Sequence, residues 1–203
     1  MIKMSWQVDY AHTHLQFSAK HMMISTVRGQ FDKLKIDSHI DEDEIGQIHD
    51  KGTLTEDDLL NSKLHVQIET ASINTHQADR DTHLRSPDFL NAEKYPYITF
   101  QMTGGQKIDD NHSKLFGNLT IRDVTKPVVL DTEYLGQSKT PWGTLNAGFS
   151  AKTKLNREEF GLTWNVALET GGWLVGRDIN VEIDIEFVKQ PEPAKQPEAA
   201  ASA

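Results

Sequence analysis

The sequence predicts an all-β protein built as an antiparallel barrel or sandwich. Three observations carry this. Most of the chain alternates apolar and polar residues with a period of two, in about eight segments separated by Gly, Pro, Asp and Asn turns. The polar faces of these segments carry charges that a parallel sheet buried on both sides would not admit. Helical character is confined to a short stretch around Arg80. Periodicity alone does not choose between barrel and sandwich, but strands of about ten residues favour the barrel, because closure removes edges otherwise exposed over their whole length.

Taken in order, Trp6 and Val8 form a short edge segment, and Leu15, Phe17 and Ala19 then alternate with Gln16, Ser18 and Lys20 as a strand with one dry face. His21-Met22-Met23 breaks the pattern. From Val27 to Ile40 it resumes as a long bent strand or a hairpin. Asp41 to Lys63 is acidic and weakly patterned and reads as a solvent-exposed excursion. Leu64, Val66 and Ile68 restart the alternation, and Asp79 is placed to cap a helix over Arg80–Ser86 that Pro87 terminates. After Tyr95-Pro96, residues Ile98, Phe100 and Met102 share one face of a strand ending at Gly104-Gly105. The turn Asp109-Asp110-Asn111 makes it a hairpin with Leu115, Gly117, Leu119 and Ile121. Pro127 opens a strand through Val128 and Leu130. Pro141-Trp142-Gly143 turns into the long alternation of Leu145, Ala147, Phe149, Ala151 and Leu155. The pattern lapses from Asn156 to Asp178, with a helical turn predicted over Asn165–Glu169. It returns in Val181, Ile183, Ile185 and Phe187, and from Gln190 a Pro/Ala/Glu-rich tail lacks the apolar residues to pack and is expected to be disordered. This divides the chain into one domain, 1–189, and a tail, 190–203.

Composition narrows the function. The formal charge of −9, with no block of lysines or arginines, argues against nucleic acid. No apolar run approaches the roughly 20 residues of a spanning helix, and MIKMSWQVDYAHTH has no secretory h-region, so a cytoplasmic location is expected, or a periplasmic or secreted one if a signal has been removed. The absence of cysteine excludes disulfides, thiolate catalysis and thiolate metal sites.

Several stretches together resemble the YceI family, the lipocalin-like polyisoprenoid-binding proteins. Trp6, Asp9, His12 and His14 resemble its opening, followed by Phe17–Met22 (FSAKHM) and Val27-Arg28-Gly29-Gln30-Phe31. Ala71–Thr75, the segment Arg80–Phe100, Gly117–Pro127 (GNLTIRDVTKP), Asn156-Arg157 and Phe160-Gly161 continue it, over roughly residues 5 to 189. An insertion around Asp43–Gly52 departs from the pattern. The resemblance implies an eight-stranded lipocalin-like barrel with a short helix near one end. It also implies that the interior holds a polyisoprenoid, an isoprenoid quinone or another long-chain lipid for carriage or storage, without enzymatic activity. The residues expected to line that interior are Leu15, Phe17, Ala19 and Met22, then Ile98, Phe100 and Leu119, and finally Phe149, Ala151, Ile183 and Ile185. His21, Arg80 and His83 are the candidate polar headgroup contacts. A homodimer is an open assembly state.

The residues themselves leave alternatives. The same inward apolar faces serve a packed core and a greasy tunnel equally well. Arg80, Asp81, His83 and Arg85 read first as a structural network pinning the helix across the barrel end, and second as a headgroup site. His12 and His14, two apart in an extended segment, would join His21 or His83 in a zinc or copper site, but no further ligand follows at close spacing. No metal or cofactor is assigned. Fatty acid or fatty amide binding is the nearest alternative function. An enzyme using His83, Asp81 or Asp88 on a small hydrophobic substrate at the barrel mouth is a further one, and a filled barrel acting as an interaction module is the third.

Overall fold

A computed structural model describes residues 4–39, 63–169 and 171–191. In chain order its elements are β1 (Met4–His21), β2 (Ser25–Phe31), β3 (Leu34–His39), β4 (Lys63–Glu69), β5 (Ile73–Asn74), α1 (Ala78–Arg85), β6 (Tyr97–Lys107), β7 (His112–Ile121), β8 (Val124–Lys139), β9 (Leu145–Asn156) and β10 (Val175–Pro191). All strand pairs are antiparallel, in one sheet of order β3-β4-β6-β7-β8-β9-β10-β1-β2-β5. The two ends of this order are neighbours in the chain. β2 leads into β3 across Asp32 and Lys33, and β4 into β5 across a 3-10 turn at Thr70–Ser72. The N–H of Asp32 donates to the Ser72 carbonyl (3.1 Å) and that of Glu69 to the Lys33 carbonyl (3.0 Å), so the two kinks are bonded to each other and the sheet curls back on itself.

The sheet has ten strands where eight were expected, because these kinks each divide one long strand in two. Hydrogen bonding closes the barrel over only part of its height. β2 accompanies β1 from Gln16 to His21, and beyond that point β1 and β3 diverge. There the N–H of Ile36 donates to the Tyr10 hydroxyl at 3.1 Å. The seam is a cleft lined by Tyr10, Thr13, His14 and Lys33, and its apolar back wall of Leu15, Phe31 and Leu34 also faces the barrel interior.

Several local expectations are corrected. Trp6 and Val8 are not a separate edge segment but part of β1, paired with Lys189 and Phe187. A bulge between Asp9 and His14 hides this continuity; the Asp9 carboxylate accepts the Ala11 N–H (2.9 Å) and its carbonyl the Thr13 hydroxyl (2.7 Å). β6 passes through Gly104-Gly105 to Lys107 after a bulge next to Met102. β8 begins at Val124, ahead of Pro127. Its second neighbour, β9, arrives only at Asp131, so the missing proline N–H falls where the strand has one partner. The helix is capped by the Gln77 side chain, which accepts from the Arg80 N–H, rather than by Asp79, which lies in the first turn. Ser86 ends the helix in an extended conformation, as Pro87 requires.

Asn165–Glu169 is not a helical turn. It is one arm of a small hairpin in which Ala167 bridges Trp173, the Leu174 N–H donates to the Val166 carbonyl (2.9 Å), and Gly171 and Gly172 turn with φ of 84° and 92°. Gln190 and Pro191, assigned to the tail, pair with Ser5 and Met4 in β10. The rest of the tail and the insertion at Asp43–Gly52 lie outside the described residues.

Inward parity produces two buried clusters. The larger includes Leu15, Ile68, Ile98, Phe100, Leu119 and Ala151. The smaller, at the end of the barrel away from α1, centres on Trp6, Ala147 and Phe187, where Phe149 meets Phe187 edge-on at 5.9 Å and Tyr134 at 5.2 Å. Glycine is required on the wall for space. A Cβ on Gly117 would overlap the Phe100 ring and lie 2.8 Å from the Gln101 carbonyl oxygen, and one on Gly29 would lie 2.5 Å from Phe17 Cζ. We expect Gly117→Ala to lower stability in urea by about 1–3 kcal/mol, as overpacking does. Gly148→Ala, whose Cβ would find Leu135 Cβ at an ordinary 3.5 Å, should cost markedly less.

Candidate ligand-binding site

The barrel interior is not filled. It contains a cavity of about 480 Å³ whose walls are almost wholly apolar. Close-packed cores hold few voids larger than a water molecule, and an apolar cavity of about 150 Å³ already admits benzene, so this volume separates a ligand chamber from a packed core. Ala19, Ala151 and Thr153 are small residues at inward positions of its wall.

Leu15, Phe17 and Ala19 of β1, Ile98 and Phe100 of β6, Leu119 of β7, Phe149 and Ala151 of β9, and Ile183 and Ile185 of β10 all line this one cavity. Ladder pairing puts Ile183 opposite Ala151 and Ile185 opposite Phe149, so the walls are continuous across neighbouring strands. Met22 is the exception. It sits on the β1–β2 turn with φ of 51°, is 40% exposed, and is not part of the cavity wall, because the turn carries it past the end of the strand.

The helix end of the chamber is built from polar networks. Asp81, buried, accepts the Thr75 N–H (2.9 Å) and hydroxyl (2.5 Å). Arg80 donates from Nε to the Thr75 hydroxyl (2.7 Å) and from Nη2 to the Thr75 carbonyl (2.8 Å). Arg85 donates to the carbonyls of Ala71 (2.7 Å) and Ile73 (2.6 Å). Together these pin α1 to the segment around β5, the first of the two readings of this cluster. His83 approaches Asp88 at 3.0 Å and meets Phe89 and Trp164 edge-on at 5.0 and 4.6 Å, closing the barrel end with an aromatic cluster. His21, Arg80 and His83 all reach the cavity wall.

Sequence reasoning missed Arg157 as a structural centre. It is 3% exposed, and its guanidinium donates to the carbonyls of Leu162, Trp164 (3.0 Å), Val175 (3.4 Å) and Gly176 (3.0 Å), fastening the segment that follows β9 to the start of β10. Desolvation pushes its pKa down from the ordinary value, and the ring of carbonyls compensates the buried charge. An arginine where the alternation stops was the available signal.

The histidines proposed as metal ligands are not brought together. The bulge in β1 sets His12 beside Asp9 (3.0 Å), while His14 pairs with Asp184. Asp9, His12 and Glu186 instead place ligand atoms within 4.8 Å of one another. Of these only His12 is exposed; its bond to Asp9 holds its pKa above the ordinary value, and Glu186 accepts the Asn146 amide at 2.5 Å.

The YceI-like domain model matches residues 6–187. A UPF0312 protein of Staphylococcus aureus is 36% identical over 180 residues, which cover 88% of this chain and 94% of that protein. Among solved structures, a YCEI protein of Campylobacter jejuni superposes with a TM-score of 0.65 at 34% identity, covering 84% of this chain and 90% of the other. A polyisoprenoid-binding domain of Saccharophagus degradans shares the fold, with a TM-score of 0.58 at 12% identity over 91% of this chain and 98% of that one.

Because Arg157 satisfies four carbonyls, Arg157→Leu should lower the thermal midpoint by roughly 6–12 °C, the equivalent of about 3 kcal/mol in a protein of this size. Thermal unfolding followed by circular dichroism reads this, and an unchanged midpoint would contradict the role.

Proposed function

Since the chain belongs to the YceI-like family, we propose that its barrel binds one long apolar chain, a polyisoprenoid or an isoprenoid quinone, for carriage or storage. The observation that carries this is the cavity of about 480 Å³ with almost wholly apolar walls, within the usual range of small-molecule sites. The polyisoprenoid-binding domain of Saccharophagus degradans, with its similar fold, supports the same chemistry. Each methylene moved from water into such a wall is worth roughly 0.8 kcal/mol, and ordering a flexible chain subtracts from the sum. Shape rather than hydrogen bonding then dominates selection, so straight acyl chains, fatty acids or fatty amides, are the near competitors.

Carriage or storage requires no reaction. Of the groups named for the enzymatic alternative, Asp81 is spent on Thr75 and neither Asp81 nor Asp88 reaches the cavity wall, while His83 does reach it and is paired with Asp88. The filled interaction module is disfavoured by the cavity itself.

Ala151 is 8% exposed on β9 with its methyl group on the chamber wall. Ala151→Trp is expected to occupy the chamber and weaken binding of a fluorescent prenyl probe by about tenfold or more, the equivalent of at least 1.4 kcal/mol, with the far-ultraviolet dichroism of the parent retained. Undiminished binding to a folded variant would contradict an interior site.

A further inference from the structure

At the helix end of the barrel, two neighbouring segments leave large apolar side chains in water. Met22, Met23 and Ile24, on the turn between β1 and β2, are 40%, 62% and 81% exposed, and Val166 and Trp173, on the hairpin before β10, are each 46% exposed. The N–H of Met22 donates to the Leu174 carbonyl at 2.8 Å, and a Cβ on Gly172 would lie 4.0 Å from Met23 Cγ. The turn and the hairpin therefore present one surface.

Neither backbone nor hydration accounts for these residues. The Ile24 N–H donates to the His21 carbonyl at 3.2 Å across a turn whose two central residues, Met22 and Met23, have φ of 51° and 63°. Hairpin turns with two positive φ values prefer Asn-Gly, because a bulky side chain there is strained. Here those positions carry methionines, and an exposed isoleucine follows. Folding alone would select small polar residues at all three, so the apolar tip points to a contact outside the chain.

Both segments run directly into the chamber wall. His21 precedes the turn, Trp164 opens the hairpin segment, Leu174 and Val175 follow Trp173, and all four line the cavity. A long apolar chain is scarcely soluble in water, so a chamber that takes one must receive it across an apolar contact. From His21 to Ser25 and from Trp164 to Val175 the sequence has Glu169 as its sole acid and no lysine or arginine, which leaves little for ion pairing. The exposed fractions amount to on the order of 500 Å², short of the roughly 800 Å² per partner of a standard protein complex. Two narrow tips bearing Met, Ile and Trp instead suit the boundary between lipid headgroups and acyl chains, where tryptophan is enriched.

We propose that the Met22–Ile24 turn and the Val166–Trp173 hairpin form a docking edge for a lipid bilayer with zwitterionic headgroups, which sets the helix end of the chamber against the membrane for chain exchange. This rests on the chain-binding reading above and adds the surface from which the chain is taken. The formal charge of −9 opposes docking on anionic bilayers.

Flotation of the full chain with phosphatidylcholine vesicles, with and without phosphatidylglycerol, reads docking, and a fluorescent prenyl probe reads chain binding separately. The parent should float with phosphatidylcholine equally at low and high salt, and less once phosphatidylglycerol is added. Met23→Gly/Ile24→Ser, which relieves one positive φ, and independently Trp173→Ser should each lower vesicle partitioning by about tenfold or more and slow probe transfer from vesicles. Their equilibrium affinity for the probe should change by less than about twofold. Trp142→Ser, in the β8–β9 turn at the other end of the barrel, removes a tryptophan that is 88% exposed and should leave flotation unchanged. A parent that binds the probe but does not float would overturn docking and leave chain binding standing. Flotation that survives both docking-edge variants, or that Trp142→Ser lowers as much, would overturn the location. A dimer in sedimentation velocity that these variants dissociate, with no flotation, would assign the surface to a second copy and overturn the bilayer. Stronger flotation with phosphatidylglycerol that is lost in salt would make the contact electrostatic and overturn the proposal on the parent alone. A parent that floats but binds no probe would overturn the chain-binding reading and the exchange role with it.

Discussion

An unpaired strand edge is a liability, and the arrangement of this protein follows from limiting it with one sheet curled until its two ends are linked by the β2–β3 and β4–β5 kinks. The curl brings β2 and β5 to β1 at one end of the strand order and β3 and β4 to β6 at the other, with covalent links across the two kinks joining the ends. Closure sets the barrel's width before any side chain is chosen. The interior positions on β1 and β9 mix large residues such as Phe17 and Phe149 with small ones such as Ala19, Ala151 and Thr153, and space remains. The cavity is a consequence of closure combined with modest wall residues.

An open chamber has a cost, because its lining forgoes the dispersion contacts of a packed core. Compensation is found at the two ends. Away from the helix, the cluster of Trp6, Ala147 and Phe187 packs as a conventional core. At the helix end, Arg157, Arg80 and Arg85 bind carbonyl oxygens of irregular segments and of the strand ends beside them, which lets non-repetitive backbone lie against an apolar chamber with polar groups satisfied. The same end gathers basic groups on the wall while carboxylates stay off it. Arg80 belongs to the structural pinning, through the two bonds its guanidinium makes to Thr75.

The strands were legible in sequence because each has one wet face and one dry face, so Phe17, Phe100, Phe149 and Ile183 could be oriented without knowing their neighbours. What local pattern did not reveal was decided by distant contacts. The kink at Asp32–Lys33 depends on hydrogen bonds to Ser72 and Glu69, nearly forty residues away in sequence. The hairpin at Ala167–Trp173 is short and its glycines read equally well as a helix stop. Met22 lies where parity gives no guidance, on a turn with positive φ after the end of β1. Whether the interior was core or chamber was not legible either, because alternation reports the direction of a side chain and not the distance to the one opposite.

The central claim is that the chamber holds an apolar chain. Native mass spectrometry of the purified full chain, followed by organic extraction and lipid analysis and repeated after delipidation and incubation with a long-chain prenyl ligand, tests it most directly. The account predicts a one-to-one adduct of lipid mass that disappears on denaturation and is restored by the added ligand. A protein that carries only its own mass before and after incubation, while its circular dichroism shows the folded sheet, would contradict it.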